Sequence, residues 1–147
     1  MQKLHYIALA ITILSAPSTA SAKNDLELML RGGPMLSKKK LAKAIIKAEK
    51  NPLGTNDNPV RAQGPLGQRA YLARLRCEDG TTPQYFRAGN VGAGVYKSIV
   101  DHYVVDCGAA APGKVNVHMD MYHPGHQETR AAPGFTIVSI EGASTAY

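Results

Sequence analysis

The side chains best suited to chemistry crowd into one stretch, His118-Met119-Asp120-Met121-Tyr122-His123-Pro124-Gly125-His126-Gln127-Glu128. On an extended strand successive side chains alternate, so His118 and Asp120 share a face about 7 Å apart. A tight turn centred on Pro124-Gly125 would then bring His123 toward His126. Imidazole with carboxylate is a donor set for zinc or copper(II), and the thioethers of Met119 and Met121 would suit copper(I). The same alternation, however, sends both methionines to the opposite face, where ordinary core residues go. Two readings therefore stand: a metal centre on His118, Asp120, His123 and His126, or a polar strand end followed by a turn.

Other chemistries are harder to assemble. Asp120 beside a histidine is half of a triad, but no Gly-x-Ser-x-Gly elbow accompanies it. The acidic residues fall mostly at turns and on solvent faces, so no carboxylate pair for glycoside hydrolysis stands out. No catalytic residue is nominated, and an enzyme is the less favoured class. The cluster Gly89-Asn90-Val91-Gly92-Ala93-Gly94 lacks the Lys-Ser/Thr ending of a phosphate loop and reads as a flexible turn. Arg74, Arg76 and Arg87, placed on adjacent strands, would form an anion patch. Glu78, Asp79 and Asp101 nearby favour a solvated face of mixed charge instead.

The elements that must position these groups follow from pattern. Residues 1–22 carry Lys3, an apolar run from Tyr6 to Leu14 and the small residues Ala20-Ser21-Ala22, the pattern of a secretory signal peptide cut after Ala22. The run is too short to span a bilayer, and no membrane span is expected after cleavage. Export places Cys77 and Cys107 in an oxidising compartment, where a single disulfide is expected. Closing that loop should contribute about 3–4 kcal/mol. A cysteine nucleophile is the alternative, but no catalytic-cysteine motif surrounds either residue.

Residues 23–50 form a leader, with a short helical possibility over Asp25–Leu30, followed by a helix from Lys38 to Lys50 with Ser37 as its N-cap. Leu41, Ala42, Ala44, Ile45, Ile46 and Ala48 occupy one arc, and Lys39, Lys40, Lys43, Lys47 and Lys50 the other. The chain carries a formal net charge of +6. One unit leaves with the signal peptide, and the remaining excess lies in this helix, which holds six Lys and one Glu. It can pack on a sheet with its lysines outward, or dock on an acidic envelope protein or anionic surface. Nucleic acid is not an expected partner, because the chain lacks clustered aromatics and a recognised nucleic-acid fold.

The remainder, 51–147, is formally neutral and turn-rich. A chain of 147 residues leaves no room for a second, cofactor-binding core. Leu53 to Gly67 reads as a linker with one extended piece near Val60. Five strands are expected: Arg69–Cys77, Gln84–Arg87, Tyr96–Cys107, Val115–Tyr122 and Phe135–Ile140, before a loose tail from Glu141 to Tyr147. The third and fourth form a hairpin across Gly108–Gly113, with Val117 and Met119 inward, and His118 and Asp120 outward. Cys77–Cys107 would pin the first strand to the third.

Asn58-Pro59-Val60-Arg61, Gly67-Gln68-Arg69-Ala70-Tyr71-Leu72, Leu75-Arg76-Cys77, Val100-Asp101 through Cys107, Asp120-Met121-Tyr122-His123-Pro124-Gly125 and Pro133-Gly134-Phe135-Thr136-Ile137 together resemble a set of small exported bacterial proteins with one cysteine pair. The resemblance covers about residues 51–137 and implies a compact exported domain with Cys77 paired to Cys107. It brings no activity with it. The sequence thus predicts a small α+β protein, periplasmic or secreted, with a mainly antiparallel sheet, one N-terminal helix and one disulfide. Its expected role is an envelope binding module without a cofactor, or alternatively a periplasmic zinc or copper protein.

Overall fold

The computed structural model describes residues 36–140. The expected signal peptide, the short helix over Asp25–Leu30 and the tail from Glu141 lie outside them. The elements run α1 (Lys38–Ala48), β1 (Val60–Gln63), α2 (Gly64–Arg74), β2 (Leu75–Arg76), β3 (Gln84–Ala93), β4 (Ile99–Asp106), β5 (Lys114–Asp120), β6 (Tyr122–Gln127) and β7 (Thr136–Ile137). Five strands form one sheet in the order β3-β4-β5-β1-β6, and β2 with β7 forms a separate two-stranded ribbon. Among the described residues only the β1–β5 pairing is parallel. The α+β class and the mainly antiparallel sheet are as expected, but the membership of the sheet is not.

The main correction concerns Arg69–Cys77. The expected first strand is a helix, α2, followed by only two strand residues. Its buried positions, Gln68, Tyr71, Leu72 and then Leu75, are spaced at three, four and seven residues, which is helical spacing. The alternation Tyr71, Ala73, Leu75, Cys77 picks out part of the same set at the wrong period. Residues 64–76 also contain no β-branched side chain and are rich in Ala, Leu, Arg and Gln, all good helix formers. Gly64 (φ 64°) turns the chain out of β1, and Pro65 opens the helix where a missing N–H costs nothing.

Three further expectations shift. The extended piece near Val60 is a central strand: β1 pairs Val60 with Met119 and Arg61 with Asp120. The glycine-rich 89–94 segment is mostly strand, since β3 continues to Ala93 through register shifts at Arg87/Gly89 and Asn90/Ala93. Gly92 (φ 82°) sits in the second of these, a conformation few other residues take without strain. The last strand shortens to Thr136–Ile137. Pro124-Gly125 falls within the β6 range, but the pairing skips it: adjacent Gln63 and Ala62 pair with Tyr122 and Gln127, so residues 123–126 turn out of the ladder with Gly125 at φ 73°, as the expected turn required.

The core gathers Val60, Tyr71, Leu72, Leu75, Tyr103, Val105, Val117, Met119, Ala132 and Phe135 between α2 and one face of the sheet. Val117 and Met119 point inward as alternation required. Cys77 and Cys107 form a disulfide with a Cα–Cα distance of 5.8 Å. The bridge ties the end of the α2–β2 segment to the end of β4, not one long strand to another. It fits an oxidising, extracytoplasmic environment. Among the described residues, no helix is long and apolar enough to cross a membrane.

Candidate functional site

The register Val100↔Asp120 and Asp101↔Met119 puts Asp120 on the sheet face opposite α2. That end of the face is nevertheless closed, and Asp120 is 0% exposed. The Ser98 hydroxyl donates to Asp120 Oδ2, and the Tyr122 N–H donates to Oδ1 at 2.9 Å. His123 Nε2 lies 3.5 Å from Asp120 Oδ2. The His123 ring meets Tyr96 edge-on at 5.0 Å between centroids and His126 at 6.5 Å. His126 Nε2 is in turn 3.6 Å from Glu128 Oε2. Glu128 accepts the backbone N–H groups of Thr129 and Arg130 and the Arg130 guanidinium, which also lies 3.7 Å from Glu49 beyond the end of α1.

Electrostatics differ along this chain of contacts. Burial pushes the Glu128 carboxyl up, but His126, the Arg130 side chain and the Arg130 N–H override it and hold it well below the ordinary carboxylate range. Burial also raises the Tyr96 hydroxyl to about 12, so it stays protonated. The Tyr96 hydroxyl, His123 Nε2 and His126 Nε2 are buried with no hydrogen-bond partner. The two imidazole nitrogens instead keep the Asp120 and Glu128 carboxylates at 3.5 and 3.6 Å, just beyond hydrogen-bond distance.

Of the four expected metal ligands, Asp120, His123 and His126 come together here. His118 instead stacks on His102 at 5.2 Å, with its Nδ1 3.3 Å from the Gly54 carbonyl oxygen. No group of three or more His, Cys, Asp and Glu side chains is disposed to hold a metal among the described residues. Nor is the Ser98–Asp120–His123 series a nucleophile and base, because the serine donates to the carboxylate and leaves no histidine to take its proton. Sequence reasoning passed over Ser98, Tyr96 and His102, and included Glu128 in the chemistry-bearing stretch without giving it a role. For His102 a further signal existed: the hairpin centred near Ala110 pairs it with His118.

A second polar network lies on the α2 side. Gln68 Nε2 donates to Asp101 Oδ2 at 2.9 Å, and the Tyr103 hydroxyl donates to Gln68 Oε1 at 3.0 Å. Arg87 donates to Asp101 Oδ1 through Nε and Nη2 at 3.0 and 2.6 Å. The Asp101 carboxylate raises the Arg87 guanidinium further above its ordinary value.

The expected anion patch does not assemble on adjacent strands. Arg74 ends α2 and donates to the Glu128 carbonyl oxygen at 2.6 Å, Arg76 donates to the carbonyl oxygens of Ala73 and Leu75, and Arg87 serves Asp101. A cleft of ≈ 320 Å³ between α2 and β6 is lined by Arg61, Gln63, Leu66, His126 and Glu128, among others, and so carries both signs of charge.

The basic helix is present over Lys38–Ala48, with Ser37 in the N-cap position but no cap bond from its side chain. Lys39, Lys40, Lys43, Lys47 and Lys50 are all exposed, and only Ala48 of the helix is buried. No protein-family model, no curated protein and no solved structure matches this chain.

Proposed function

We propose that the protein is an exported, non-enzymatic binding module of the cell envelope that engages an acidic partner or anionic surface through α1. The state of that helix carries the reading. Its lysines are exposed, and none is paired with a carboxylate among the described residues. Uncompensated charge on a solvated helix acts over roughly a Debye length, about 8–10 Å at physiological salt. Leu41 and Ile45 are only half-buried, and Ile46 is 66% exposed. A narrow apolar edge beside dense charge suits attachment to a surface more than insertion into a bilayer. Export belongs to the same proposal, supported by the 1–22 pattern, the disulfide and the resemblance to small exported proteins. The triple variant Lys39→Glu, Lys43→Glu, Lys47→Glu should keep its circular dichroism and lose a salt-sensitive partner in envelope pull-downs. An unchanged pull-down overturns the reading.

A second reading, a periplasmic zinc or copper protein, is favoured by one observation: the buried, unpartnered Nε2 atoms of His123 and His126 beside Asp120 and Glu128. It requires metal binding that His123→Ala and His126→Ala each remove.

A further inference from the structure

We propose that His102 and His118 chelate a divalent transition-metal ion, Cu(II) above all, on the sheet face opposite α2. The inference is independent of α1 and of the His123 cluster. The β4/β5 register sets the two histidines directly opposite each other. The His118 N–H donates to the Gly54 carbonyl oxygen at 2.7 Å, away from β4, so this is a pair without ladder hydrogen bonds between its members. In such pairs the Cα atoms approach to about 4.5 Å and the side chains are closest. The rings accordingly lie against each other, 5.2 Å between centroids and 14° from parallel, and a shared ion requires them to turn out of this stack until one in-plane nitrogen of each points at it.

The ring nitrogens are already sorted into donors and free lone pairs. His102 Nε2 lies 2.9 Å from Asn116 Oδ1, and His118 Nδ1 lies 3.3 Å from the Gly54 carbonyl oxygen. Both partners are oxygen acceptors, so these nitrogens carry the protons. His102 Nδ1 and His118 Nε2 are left with unprotonated lone pairs. One nitrogen donating to an oxygen while the other is free is how metal-bound imidazoles are held. Both side chains are only half-buried, so an ion can enter and complete its coordination with water. Two imidazoles suit Zn(II), Ni(II) and Cu(II), and Cu(II) binds most tightly of the three at a given nitrogen site.

The test is a calorimetric titration of the oxidised protein with Cu(II), with electron paramagnetic resonance to count nitrogen ligands and circular dichroism to check each variant. One Cu(II) per chain with two nitrogen ligands is expected. Asn116→Ala, which touches no metal, should weaken binding about 10–100-fold through loss of ring orientation. His102→Ala and His118→Ala should each weaken it more, and His123→Ala should leave it unchanged. The proposal is overturned by no saturable Cu(II) binding, by binding that survives both His102→Ala and His118→Ala, or by loss on His123→Ala alone.

Discussion

Asp101 and Asp120 occupy diagonal positions of the β4/β5 hairpin and point to opposite sides of one sheet, both buried and both carboxylates. Their surroundings are unlike. Asp101 has its two oxygens claimed by Gln68 and Arg87, and Tyr103 extends the network without leaving a polar atom idle. Asp120 is held by Ser98 and the Tyr122 N–H, while the histidines and tyrosine packed beyond it keep three buried polar atoms unpaired. A closed network locks α2 onto the sheet and is a structural device. An open one is held by fewer direct bonds, so its members contribute less to stability.

The contrast can be broken at its stronger end first. Asp101→Ala should lower stability by about 3 kcal/mol in urea unfolding, because it leaves the buried Gln68 amide and one face of Arg87 without an acceptor. A loss under about 1 kcal/mol would mean that the network is not closed in solution. Glu128→Gln should cost about 1–2 kcal/mol at pH 7, since the carboxylate binds Arg130 and backbone N–H groups that the amide holds less well. The wild-type carboxyl is depressed in the folded state, so its advantage is complete above the unfolded value of about 4.3. It shrinks as pH falls below that value. A difference between the two proteins that grew on acidification would contradict the assignment. The smallest effects sharpen the comparison most. Tyr103→Phe should cost about 1 kcal/mol by leaving Gln68 without its donor, whereas Tyr96→Phe should stay within about 0.5 kcal/mol of wild type or gain, because its hydroxyl has no partner to lose. Equal losses for the two would erase the distinction.

How far these features could be read in advance depended on the range of the interaction. The lysine helix was legible because 3.6-residue periodicity and charge are local, and its limits agree with the structure to within two residues. The β4/β5 hairpin was legible because alternation and a short turn fix its register. The helix α2 was not, since Leu and Tyr fit a two-residue or a four-residue period equally over so short a run. The turn at Pro124-Gly125 was legible from its own residues, but the pairing of its two flanks, Tyr122 and Gln127, with β1 was not, because that contact joins segments about sixty residues apart.

The candidate sites divide in the same way. His118 and Asp120 were placed on one outward face, correctly, but whether that face met solvent or a second layer was undetermined. The packing of Tyr96, Ser98 and His123 over one end turned a solvent-facing Asp120 into a fully buried one. The other end stayed accessible and paired His118 with His102, a residue sixteen positions away in the chain.

By itself the sequence determined the class of the fold, the cysteine partners and the concentration of positive charge in residues 38–50, because composition, export pattern and short-range periodicity suffice for these. Only the tertiary structure decided which histidines meet, which arginines are spent on internal carbonyl and carboxylate oxygens, and which polar atoms are left unpaired. Those outcomes depend on strands brought together from distant parts of the chain, and a one-residue change of register would have exchanged every contact.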